Sequence, residues 1–310
     1  MSAPAPATPA HDASGVDRRT TLLATAALLA MTACWGSTFF LIKDLLERVP
    51  TLDFLAVRFT IAGLVMLLVA PRAVARLSAE SRRHAAVLGL VYGAAQILQT
   101  AGLAHTPASV SGFITGMYVV LTPVLAALLL RTRTSPVTWA AVALATAGLG
   151  VLTLDGLSIG YGESITLVSA VLYALHIVGL GAWSDARQAL GMSIVQLLVI
   201  AAVCLVATAP DGVVLPATTG DWVSVVYMAL FAGALALLGQ TWAQAHLAPT
   251  RSAIIMSMEP VFAAFFAVLL GGEGLTLRML GGGAMVLAAM LVVELVPRRT
   301  VEGEVQHLVV

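Results

Sequence analysis

The stretch QTAGLAH at 99–105 returns as QTWAQAH at 240–246, with Gln-Thr opening and Ala-His closing both copies. The copies stand 141 positions apart in a chain of 310 residues. Each therefore occupies the same place in one half of the chain. A fold written twice is the first expectation, and the surrounding sequence decides which fold.

Hydrophobic residues make up 59% of the chain and charged ones 10%, against about a quarter charged in a soluble domain. Too little polar surface remains to coat a globule in water, so lipid is the solvent for most of this chain. The formal net charge is zero and no basic stripe appears, which argues against nucleic acid as a partner. Cys34 and Cys204 each lie in an apolar run, too few and too far apart for a disulfide framework or a zinc site. No metal and no cofactor are expected. Arg18-Arg19, an apolar run and Met31-Thr32-Ala33-Cys34 imitate a secretory signal with a lipoprotein cleavage site. The apolar run continues through Phe39-Phe40-Leu41-Ile42, whereas the apolar stretch of a signal peptide is short. A first membrane span is the better reading, after a disordered tail over 1–20.

Apolar segments of about 20 residues cross a bilayer as helices. They fall at 21–46, 52–70, 84–105, 109–130, 136–154, 163–183, 191–209, 222–243, 252–271 and 276–296. Arginines mark cytoplasmic loops: Arg18 and Arg19, then Arg72, Arg76, Arg82 and Arg83, then Arg131 and Arg133, then Arg187, Arg251, Arg298 and Arg299. The alternate loops 106–108, 155–162 and 210–221 carry no Lys or Arg. Both termini are thus expected in the cytoplasm, which requires an even number of spans. The expected fold is an all-α polytopic membrane protein with ten transmembrane helices. Its units are 21–154, 163–296 and a cytoplasmic tail over 297–310.

The 141-residue shift lays span one on span six, three on eight and four on nine. Thr122-Pro123-Val124 resembles Glu259-Pro260-Val261 if a gap of four is allowed, which leaves the register of spans four and nine open. Five spans per repeat is an odd number, so the second copy enters from the opposite side. Such inverted-topology repeats suit alternating access around a midplane site.

With ten helices in two repeats, Trp35-Gly36-Ser37 in span one, Glu259-Pro260 in span nine and GFITGMYVVLTPVLAALLLR at 112–131, the chain resembles the EamA-type members of the drug/metabolite transporter superfamily. Arg58 in span two and the Gly272-Glu273 turn are similar too. The resemblance covers 21–296 and implies a bacterial inner-membrane exporter of small metabolites or drugs. It also implies a central cavity between the repeats.

Ionisable groups within hydrocarbon cost about 2.5–3.5 kcal/mol each on insertion scales, so those present point to sites. Glu259 directly precedes Pro260, which removes an N–H and leaves the Met256 carbonyl without its helical partner. Glu259, with Pro260 and Pro123, is the candidate for gating or proton coupling; the alternative is a plain interhelical bond. Arg58 is expected to snorkel outward or pair with Asp53 or Glu47, the alternative being a substrate carboxylate. Trp35 lies deep in span one, and the shift places His176 of span six opposite it. Gln99, Tyr118, Gln240 and Trp242 complete the candidate substrate-binding set, with Gln99 and Gln240 as repeat equivalents. Core packing and interhelical hydrogen bonding are the competing readings for all of them.

No GxxxxGK[ST] loop exists for a primary pump. Every Asp lies in a tail, a loop or at a span edge, so intramembrane catalysis, for example a lipid-modifying enzyme, is a minor reading and no catalytic residue is assigned. The expected function is a secondary carrier exporting small organic solutes, amino acids and related amphipathic metabolites first, lipophilic drugs second. Its partners are the solute, the bilayer and, through Glu259, protons; a monomer suffices for a ten-span pathway.

Overall fold

The computed structural model describes residues 18–130, 135–153 and 159–295, and every regular element among them is helical. The first half holds α1 (Arg18–Leu45), α2 (Thr51–Val69), the short α3 (Pro71–Ala75), α4 (Ala79–Ala104), α5 (Ala108–Thr115), α6 (Tyr118–Leu129) and α7 (Pro136–Thr153). The second holds α8 (Tyr161–Trp183), α9 (Ala189–Thr208), α10 (Thr219–Ala229), a π-helical segment (Leu230–Leu235), α11 (Ala236–Gln244), α12 (Pro249–Met256), α13 (Glu259–Leu269) and α14 (Leu277–Leu295). Residues 1–17 of the expected tail over 1–20, the expected tail over 297–310, and Arg131 and Arg133 lie outside the described residues.

Among the described residues, seven elements are long and apolar enough to cross a membrane: α1, α2, α4, α5 with α6, α8, α9, and α10 through α11. The remaining three places in the pattern hold shorter apolar helices, Trp139–Gly148, Glu259–Leu269 and Leu277–Ala289. The chain is a multi-pass membrane protein, and its surface agrees. Leu68, Val69, Leu128 and Leu277 point outward, whereas Arg58, Gln96, Gln99, Thr100, His176, Gln240 and Glu259 are buried. Polar groups inside and apolar ones outside is the arrangement lipid demands.

Local chemistry explains the boundaries. Ser78 caps α4, its hydroxyl accepting from Ser81 N at 3.0 Å. Thr218 and Asp221 form a reciprocal capping box at the start of α10. Beyond α13 the chain turns at Gly272 with φ +71°, a left-handed conformation suited to glycine. Glu273 then caps α5, accepting from Ser109 N at 3.3 Å and from Ala108 N. Lys43 donates to Thr106 O at 2.7 Å and Leu103 O at 3.3 Å, closing the end of α4.

Both fourth helices are broken, at Gly116–Met117 and at Ser257–Met258. Ala108 and Pro249 open the first pieces, and Tyr118 and Glu259 the second. The second pair is 141 positions apart, the same shift that relates the Gln-Thr copies. This corrects the gapped alignment: the register runs without insertion, so the counterpart of Glu259 is Tyr118. Pro123 sits inside α6.

Packing repeats the same relation. α1 packs on α13 and α11, and its counterpart α8 packs on α6 and α4. α2 packs on α9 and α7 on α14, pairs that the shift maps onto themselves. Self-mapping pairs are what an approximate two-fold axis between halves produces. At one end of the bundle Arg48 pairs with Asp44 at 2.6 Å and with Asp221 of the second half at 2.7 Å. The hydrogen bonds it donates to Asp44 and then Asp221 hold this guanidinium above the usual arginine range.

Candidate functional site

A cavity lies between the halves at the level of the two helix breaks, lined by residues of α1, α2, α4, α5, α6, α8, α11, α12 and α13. Four pairs of repeat equivalents meet there: Trp35 with His176, Gln99 with Gln240, Thr115 with Met256, and Tyr118 with Glu259. Trp242 does not reach it; its ring lies 4.9 Å from the ring of His246. Pro123 and Pro260 are buried beside the site without lining it.

α4 offers Tyr92, Gln96, Gln99 and Leu103, spaced so that one helical face looks into the space. α8 offers Tyr173, His176 and Ile177 from across. Tyr92 stacks on His176 at 4.8 Å and meets Tyr173 edge-on at 5.8 Å. Tyr173 Oη donates to Gln99 Oε1 at 2.7 Å, and Gln99 Nε2 donates to Thr115 Oγ1 at 3.1 Å. His176 Nε2 shares a hydrogen bond with Gln196 Oε1 at 2.8 Å, which fixes the ring without using the cavity. Two acceptors are left over: Gln96 Oε1 and Gln240 Oε1 are buried and have no hydrogen-bond partner among the described residues.

At the break of the ninth span the phenol of Tyr118 lies 2.9 Å from Met256 O and 2.9 Å from Glu259 Oε2. The carbonyl that Pro260 deprives of a partner is thus met from the other repeat. Among the described residues, Glu259 is the only acidic side chain lining the cavity.

Arg58 departs from expectation. It neither snorkels nor pairs with Asp53, which instead accepts from Val214 N at 3.2 Å. Its guanidinium is buried, donating from Nε to Met228 O and from Nη2 to Ala232 O, both at 3.3 Å. Trp35 Nε1 donates to the same Ala232 O at 2.9 Å. These carbonyls border or belong to the π-helical segment, whose altered ladder releases backbone groups from α-helical pairing. The segment LFAGAL carries small residues that let the neighbouring helix close in: Ala62 lies beside Gly233. Sequence reasoning missed Tyr173 and the π-helical segment. Tyr173 was legible through its three-residue spacing from His176; the segment has no comparable signal.

No group of three or more His, Cys, Asp or Glu poised for a metal occurs among the described residues.

The model of the EamA-like transporter family matches the chain twice, over residues 22–154 and 160–295. An "Uncharacterized transporter" of Archaeoglobus fulgidus is 28% identical over 288 residues, covering 91% of this chain and 88% of that protein. The "Uncharacterized inner membrane transporter YedA" of Escherichia coli K12 is 25% identical over 275 residues, covering 86% and 89%. A solved crystal structure shares the fold with a TM-score of 0.68 at 19% identity, covering 92% of this chain and 99% of that one.

Proposed function

Since the chain belongs to the EamA-like transporter family, we propose that it is a secondary carrier that exports small organic solutes across a bacterial inner membrane by alternating access. The observation that supports this reading best is the meeting of four repeat-equivalent pairs in one cavity, at the two helix breaks. Each half has an odd number of crossings, so the halves enter the membrane from opposite sides with both termini cytoplasmic. Two such halves exchange inward-open and outward-open shapes around a shared site.

The lining favours amphipathic solutes. Trp35, Tyr92, Tyr173 and His176 supply aromatic faces, and the glutamines supply hydrogen bonds. Amino acids and related metabolites fit first. A multidrug carrier is the second reading, favoured by the aromatic cluster.

Glu259 carries the coupled proton in this scheme. A phenol has one proton to give. With Glu259 ionised, Tyr118 donates to the carboxylate and Met256 O loses its donor. With Glu259 protonated, the carboxylic acid donates to the phenol oxygen, and the phenol turns to Met256 O. Protonation is thereby tied to the backbone at the break of α12 and α13.

The test is transport by purified protein in liposomes loaded with a bacterial metabolite extract, with mass spectrometry of what leaves. A narrow set of solutes leaving with saturable kinetics supports a carrier. Release no faster than from protein-free vesicles, with and without a pH gradient, overturns it.

A further inference from the structure

Arg58 is the cation of the cavity, and it makes no ion pair among the described residues. The side chain is 1% exposed. A guanidinium has five N–H donors and keeps its proton in proteins. Here Nε and Nη2 meet two backbone carbonyls, and no hydrogen bond from Nη1 is found among the described residues. The Phe54 and Phe59 rings lie 5.8 and 5.1 Å from its central carbon and soften the charge without neutralising it. The ion pairs among the described residues belong to Arg48, at the end of the bundle.

The fold itself does not call for a charge at this position. The 141-residue shift that relates Tyr118 to Glu259 sets Val199 in the place of Arg58. α2 and α9 pack on each other in a pair that the repeat maps onto itself. One member of that pair carries an arginine into the cavity; the other does without. The cavity's acceptors come from other walls: Gln96 Oε1 on α4 and Gln240 Oε1 on α11, both unpartnered among the described residues, and Glu259 at the start of α13. The site is therefore sided, with a cation on α2 and N–H acceptors elsewhere.

We propose that Arg58 is a carboxylate subsite: the transported solute presents a carboxylate to the guanidinium and N–H groups to the glutamine oxygens. The proposal rests on the carrier reading above and narrows its solutes to carboxylates that also carry a hydrogen-bond donor. Neutral and purely cationic lipophilic drugs are excluded. A planar guanidinium forks onto a carboxylate in a way that an amide cannot match, and that difference is what the experiment reads.

Liposomes are loaded with an equal mixture of apolar L-amino acids and their primary amides, together with the metabolite extract. Efflux is followed for the wild type, Arg58→Lys and Arg58→Gln. In the wild type the acids leave about tenfold or more faster than the matching amides. Arg58→Gln brings that ratio close to one while amide efflux persists, and Arg58→Lys gives an intermediate ratio. A role confined to holding Met228 O and Ala232 O would slow acids and amides alike and leave the ratio unchanged, which overturns the proposal. Equal efflux of acids and amides from the wild type also overturns it, and needs no variant to fold. Release of extract solutes without preference for acids sinks the Arg58 subsite alone. No release of anything above protein-free vesicles sinks the carrier reading, and the subsite with it.

Discussion

Tyr118 shows how one side chain can hold the two repeats in register. Its hydroxyl is the only side-chain donor to Met256 O among the described residues, and Pro260 removes the backbone N–H that an α-helix would offer to that carbonyl. Tyr118→Phe leaves that carbonyl unpaired, at a cost of about 1–3 kcal/mol. The expected result is a lower thermal midpoint in detergent; an unchanged midpoint would show that the break needs no cross-repeat bond. Glu259→Gln keeps shape and hydrogen bonding but cannot exchange a proton. Downhill solute exchange is expected to survive in it, while acceleration by an imposed pH gradient disappears. A variant with wild-type dependence on the gradient removes Glu259 from the coupling scheme.

At the scale of the element, close crossings set where helices pass. A Cβ on Gly36 would lie 2.5 Å from Phe262 Cβ and 2.8 Å from Ala263 N, so α1 touches the backbone of α13 there. Gly36→Ala must push the two helices apart, because backbone cannot step aside as a flexible side chain can. Transport is expected to fall about tenfold or more, since the crossing adjoins the cavity; a fully active Gly36→Ala would show that the contact opens freely in the cycle. The π-helical segment is the second local device. Deleting Ala232 should return the segment to α-helical pairing and withdraw its carbonyls from Trp35 and Arg58. Trp35 then loses its hydrogen bond, and the expected readout is a shift in the indole emission of a variant retaining only that tryptophan. No shift would mean that the carbonyls stay in place without the extra residue.

For the whole molecule, the two-fold relation of the halves and the sidedness of the loops make one prediction. In a background lacking Cys34 and Cys204, Asp211→Cys should react with an impermeant maleimide on intact cells. Glu80→Cys, equally exposed, should react only after permeabilisation. The reverse pattern inverts the orientation, and labelling of both from outside breaks the scheme of even crossings. The scaffold is close to symmetric while its chemistry is not: Tyr118 faces Glu259, and Arg58 has a valine for a counterpart. In the proposed carrier, symmetry would serve the exchange of shapes, and asymmetry would give the solute a fixed orientation.

Composition and periodicity were enough for the membrane class, because lipid forces apolar runs of a fixed length whatever the details of packing. The repeat was equally legible, since Gln99 and Gln240 sit in matching words, and its shift led directly to Trp35 with His176. Other features could be decided only in three dimensions. Arg58 reads as an interfacial arginine from its neighbours in sequence, yet the groups that receive it, Met228 O and Ala232 O, lie more than a hundred residues away. Trp242 looked like a lining residue, but its position around α11 turns it toward His246. The pairing of Glu259 with Tyr118 was hidden by a proline in each helix that invited a gapped alignment. Sequence records which side chains a helix carries. Which way each one faces depends on how that helix rotates against its neighbours, and only tertiary packing sets that angle.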